Sequence, residues 1–123
     1  MKKLFLILMV AILFMPSLGT ARDTHYLFNS EGEWIAFKEG KYVFNPEREW
    51  IGWMGWSDAD VADKDGKYLG TITHRNRLYF YTNHPFRGNP GYPGSPRYPG
   101  RPGYPGQAGY DSPPSGAQNV RFK

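Results

Sequence analysis

Two twelve-residue stretches of this chain are near copies of one another, and that repetition constrains the fold more than any other feature. Tyr26-Leu27-Phe28-Asn29-Ser30-Glu31-Gly32-Glu33-Trp34-Ile35-Ala36-Phe37 aligns with Tyr42-Val43-Phe44-Asn45-Pro46-Glu47-Arg48-Glu49-Trp50-Ile51-Gly52-Trp53, with seven of the twelve positions identical. A third copy, weaker, runs from Asp60 to Thr71, and a degenerate fourth begins at Arg77-Leu78-Tyr79-Phe80-Tyr81. The period is 16 to 18 residues, short enough for one supersecondary unit per copy.

Each copy reads as a β-hairpin. Its opening residues alternate in character, as a strand with two different faces requires. A four-residue turn follows: Asn29 to Gly32, Asn45 to Arg48, Asp63 to Gly66. The Asn or Asp side chain can accept a bond from nearby backbone, and the closing position favours glycine because it needs positive φ. Arg48 breaks that rule and is expected in a strained left-handed conformation. Lys38 to Lys41 and Thr73 to Asn76 are second turns, Met54 to Ala59 is a loop, and no segment of 22–86 has a helical period.

A domain of this size buries only about 60% of its surface and is marginal. Aromatic mass and closure of the sheet, with the fourth copy joining the first, would compensate. The expected architecture is all-β, four similar antiparallel hairpins closed around an axis.

The series Tyr-Leu-Phe-Asn-Ser-Glu-Gly-Glu-Trp-Ile-Ala-Phe, Lys-Tyr-Val-Phe-Asn, Trp-Ile-Gly-Trp and Asp-Gly-Lys-Tyr-Leu-Gly resembles the four-fold β-flower domain over residues 24 to about 84. That resemblance implies a small shallow barrel of antiparallel hairpins with pseudo-four-fold symmetry, the hairpins standing as petals around an apolar centre, and it offers no catalytic residues to carry over. Arg48 in place of the turn glycine, and the missing Asn-x-x-Gly turn in copy four, depart from full symmetry.

The flanks differ from the repeat. Lys2 and Lys3 precede an apolar run from Leu4 to Met15, and small residues at Gly19 and Ala21 suit signal peptidase. Residues 1–21 therefore read as a signal peptide, too short in its apolar part for a membrane span. The expected address is periplasmic or extracellular. There is no cysteine, so neither a lipid anchor nor a disulfide is available. Strands apolar on their outward face, which an outer-membrane barrel needs, are not expected.

From residue 87 the composition changes. Residues 87–123 hold 8 Gly and 8 Pro, with Tyr92, Tyr98, Tyr104 and Tyr110 at six-residue intervals. Such a segment is expected to be a disordered tail with polyproline character, since Pro removes backbone donors and Gly raises the entropy lost on ordering. Charge divides at the same place. Residues 22–86 carry 8 basic and 10 acidic side chains, or −2, and 87–123 carry 5 and 1, or +4. The tail cations Arg87, Arg97, Arg101, Arg121 and Lys123 are the candidates for contact with anionic surfaces. Cell-wall polymer, lipid headgroups or another envelope protein are the expected partners, and no specific nucleic-acid motif is present.

Catalytic chemistry finds no constellation. His25, His74 and His84 fit no zinc spacing. Asp58, Asp60, Asp63 and Asp65 fail the EF-hand pattern at its first and twelfth positions. Ser30 and Ser57 have no neighbouring base, and Glu33 and Glu49 occupy matching repeat positions, which suggests a shared solvent-facing role. No cofactor is expected and no enzyme. The candidate ligand-binding residues are the tryptophans Trp34, Trp50, Trp53 and Trp56, with Met54 beside them, either as core or as a stacking platform near an open centre. The expected function is a non-catalytic exported binding module with an aromatic central site and a cationic tail. The alternative is a structural protein of the envelope that assembles through the domain and its Tyr/Pro/Gly tail.

Overall fold

The computed structural model describes residues 24–122; the signal-peptide reading and Lys123 lie outside the described residues. Eight strands follow in chain order: β1 (Thr24–Phe28), β2 (Trp34–Glu39), β3 (Tyr42–Phe44), β4 (Trp50–Trp53), β5 (Asp60–Asp63), β6 (Tyr68–Thr73), β7 (Arg77–Tyr81) and β8 (Ala117–Asn119). Each pairs antiparallel with the next, and a parallel bridge between Phe28 and Arg77 joins β1 to β7. Strands β1 to β7 thus close into a barrel, with β8 added to β7. A single 3-10 turn, His74–Asn76, interrupts the β structure of the described residues.

The repeats are the petals. β1–β2, β3–β4 and β5–β6 are hairpins whose turns repeat the same bonds. The Asn29, Asn45 and Asp63 side-chain oxygens accept from the backbone N–H of Glu33, Glu49 and Lys67 at 2.8 to 2.9 Å. At the closing position φ is +83° for Gly32, +69° for Arg48 and +86° for Gly66, so Arg48 adopts the left-handed conformation expected of it.

Each petal sends one residue to the axis from its first strand. Leu27, Val43, Val61 and Leu78 are fully buried. Opposite the first three stand Ala36, Gly52 and Gly70, small because space runs out there. A Cβ on Gly52 would strike the Ala62 carbonyl, and one on Gly70 would lie 2.9 Å from a Val120 methyl. A register shift beside each of these pairs makes a bulge. The extra residues Ile35, Ile51 and Leu69 pack against the core.

The fourth petal is split. Its first strand is β7, but its second, β8, arrives only after the 35 residues 82–116. Gly116 has φ +83°, and Val120 stands four residues later, as Ala36 stands after Gly32. Continuing the β7–β8 register from Tyr79 opposite Asn119 places Val120 opposite Leu78, and Val120 joins the core cluster. The Asn-x-x-Gly turn absent from copy four is replaced by this excursion.

Residues 87–116 form no strand or helix, in keeping with their composition, yet they lie against the barrel as a strap. The domain limit at residue 86 therefore needs extending, since residues 117–120 supply the last strand and part of the core. Ring contacts and carbonyl bonds order the strap without a hydrophobic core of its own.

Candidate functional site

The strap passes the petals in reverse order. His84 stacks on Tyr68 of petal three, ring centroids 3.8 Å apart. Arg87 lies 5.1 Å over Trp56, whose indole N–H donates to the Gly88 carbonyl at 3.0 Å. Tyr92 meets Trp50 of petal two at 6.0 Å, Tyr98 sits beneath Arg48 at 4.8 Å, and Tyr104 meets Trp34 of petal one at 6.0 Å. The Ala108 N–H then donates to Gly32 and the Asp111 N–H to Ser30.

Two carboxylates hold its ends. Asp60 accepts from Thr71 at 2.7 Å and from Arg87 at 2.8 Å, and the His84 Nε2 lies 2.8 Å from it. Burial works to raise the Asp60 carboxyl, but the bonds from Thr71, Arg87 and His84 outweigh it and hold the group below its usual range. The Asp60 backbone N–H and Arg87 lower Asp58 in the same way. At the far end, the buried Asp111 accepts the Tyr79 hydroxyl at 2.6 Å, with His74 and Arg75 each at 3.4 Å. The Tyr79 bond is the main cause that lowers Asp111, helped by the cations around it. Burial and that carboxylate push the Tyr79 phenol well up.

The tryptophans, foreseen either as core or as a stacking platform, occupy separate places. Trp34 and Trp50 are equivalent. Each donates its indole N–H to the carbonyl two residues on, Ala36 or Gly52, at 2.8 Å. Each also packs edge-on against its petal's tyrosine, Tyr26 or Tyr42. Trp53 is buried, its indole nitrogen without a hydrogen-bond partner. Met54 packs beside the core, and Trp56 is occupied by Arg87 and Gly88. Among the tail cations, Arg87 is bonded to Asp58 at 2.6 Å and to Asp60, while Arg97, Arg101 and Arg121 are exposed.

An open groove of about 900 Å³ lies elsewhere, where petals two and three meet the C-terminal segment. Ile51, Leu69, Phe80 and Val120 give it an apolar base, with Trp50 and Tyr68 as aromatic lining. Glu49, Asp63, Asp65, Lys64, Asn119 and Arg121 supply polar groups of both signs. Of the foreseen residues only Trp50 and Arg121 line it. Leu69 and Phe80 were legible as repeat positions, but Asn119 and Val120 carry no periodic signal. The spacing from Gly116 to Val120, matching Gly32 to Ala36, was the one cue.

A closed barrel of hairpin petals bound by a Tyr-Pro-Gly strap is the class of protein these features define. The chain matches the family described as 4-fold beta flower protein over residues 18–118, and it belongs to that family. The match runs through the strap and into β8. No significant match to a curated protein or to a solved structure was found.

Proposed function

We propose that this is a non-catalytic exported module that binds glycan chains in the groove between petals two and three and the C-terminal segment. The observation that carries this reading is the groove's composition. An aliphatic base of Ile51 and Leu69 lies beside the Trp50, Tyr68 and Phe80 rings, next to amide and charged groups of both signs. A sugar ring has the matching pair of surfaces, an apolar face of C–H groups and an edge of hydroxyls, and concave sites of this kind orient ligands through a few polar groups. The N-terminal signal pattern supports export, which would place the module among wall polymers. Arg97 and Arg101, exposed on the strap, supply charge for anionic segments of such polymers. The groove, which keeps Trp50 but not Trp34, Trp53, Met54 or Trp56, replaces the aromatic platform near an open centre as the proposed ligand site.

Titration of the full chain with neutral and amino-sugar oligomers, followed by tryptophan fluorescence, tests the reading. A saturable response is expected, weakened at least tenfold by Leu69→Gln or Phe80→Ala and unchanged by Trp56→Ala. A response lost in Trp56→Ala and retained in the groove variants would overturn it, as would no response to any oligomer.

A further inference from the structure

Petals one and two are covered by the same short motif. In petal one Tyr26 and Trp34 stand 5.6 Å apart at 72°, and Tyr104 lies 6.0 Å from Trp34. In petal two Tyr42 and Trp50 stand 5.9 Å apart at 79°, and Tyr92 lies 6.0 Å from Trp50. Both strap tyrosines begin a Tyr-Pro-Gly triplet. The Tyr42 hydroxyl reaches the carbonyls of Pro93 and Gly94, 3.2 Å to each, so this petal contacts the backbone of the triplet as well as its ring.

The chain holds more of the motif than it has seats. Tyr98 begins a third triplet but lies under Arg48 instead of on a tryptophan, and it is 69% exposed. The seated rings are themselves 66% and 73% exposed, so each seat is shallow and its occupant is held largely by the strap's attachment elsewhere.

We propose that the Tyr/Trp pairs of petals one and two are binding sites for Tyr-Pro-Gly peptide, filled in cis by Tyr104 and Tyr92 and open to the same motif of a second copy. Three properties fit the ligand to the seat. The ring packs against the indole in the tilted or edge-on geometry that aromatic pairs favour. Proline pre-sets the backbone after the tyrosine, so little freedom is lost on docking. The carbonyls of Pro93 and Gly94 meet a fixed donor. Several triplets on one strap make contacts between copies multivalent, which strengthens weak individual contacts.

The test uses the full chain carrying Tyr92→Ala and Tyr104→Ala, with the strap still anchored by Asp111 and β8. A labelled peptide of residues 91–106 is titrated into this variant and into the unaltered chain by fluorescence anisotropy. The freed seats are expected to bind it at least tenfold more tightly than the filled ones. Adding Trp34→Ala and Trp50→Ala, or replacing the peptide's tyrosines by alanine, is expected to abolish binding. In parallel, sedimentation of the unaltered chain is expected to show concentration-dependent association that excess peptide reverses. Equal affinity for freed and filled seats, binding that survives loss of both tryptophans, or a chain that stays monomeric at millimolar concentration would overturn the proposal.

Discussion

The Tyr79 hydroxyl donates to the Asp111 carboxylate across 2.6 Å, joining a buried residue of β7 to the far end of the strap, 32 positions on. Loss of charge at Asp111 should release that end. The carboxyl is held below its usual range in the folded chain, so its contribution is present above the unfolded value near 4 and is lost as pH falls through the folded one. Asp58 and Asp60 act in the same direction at the strap's other end. Acid titration should therefore expose the strap to proteolysis below about pH 4 while the petals keep their circular dichroism. Asp111→Asn should make the far end susceptible already at neutral pH. A strap equally resistant at pH 3 and pH 7 would count against this account.

The split petal makes a second expectation. Since Tyr81 and Ala117 are register partners, residues 83–115 can be replaced by a four-residue Asn-Ser-Glu-Gly turn like that of petal one. Combined with Tyr79→Phe, so that no hydroxyl is stranded, this chain should fold with an unchanged β spectrum. Its tryptophan emission should shift to the red as Trp34, Trp50 and Trp56 lose their covers. A random-coil spectrum would show that the strap is part of the barrel's stability and not an insertion in it.

Trp50 and Trp53 should differ under the same substitution. Trp50→Phe removes an indole bond to Gly52, whereas Trp53→Phe removes a buried N–H that has no partner. A net hydrogen bond contributes about 1 kcal/mol, and an unsatisfied buried donor costs about 1 to 3 kcal/mol. Urea unfolding should thus show Trp53→Phe less destabilising than Trp50→Phe by about 2 to 4 kcal/mol. The reverse order would sink the assignment.

Arg48 carries two opposed effects. Its φ of +69° strains a side-chain-bearing residue by about 1 kcal/mol, while its guanidinium over Tyr98 returns about 0.5 kcal/mol at an exposed site. Arg48→Gly should stabilise by about 0.5 kcal/mol in the unaltered chain and by about 1 kcal/mol with Tyr98→Ala in place. A double-mutant cycle by thermal unfolding measures the difference.

The petals were legible because their signals are local. An Asn or Asp opening a turn, a residue of positive φ closing it, and an aliphatic residue at the second position of each copy all lie within twelve positions. Even the strain at Arg48 could be read from its place in the repeat. The strap was not legible, because its order comes from single rings on separate petals, with no apolar period along its own length. Likewise β8 is three residues long, and Val120 becomes a core residue only because Leu78 and Gly70 leave room for it. The tryptophans were visible as important, but their separation into covered, buried and clamped positions depends on where the strap runs.

The distance along the chain between Leu78 and Val120 has a consequence for biogenesis. A petal closed by a four-residue turn can form as soon as it is synthesised, whereas spanning 35 residues adds about 2 kcal/mol of closure entropy. As the chain emerges from N to C terminus, three petals can therefore assemble while the axis still lacks its last methyl groups. Until residue 120 has emerged the nascent barrel presents an unfilled slot, a natural point for a chaperone to hold it or a protease to reject it.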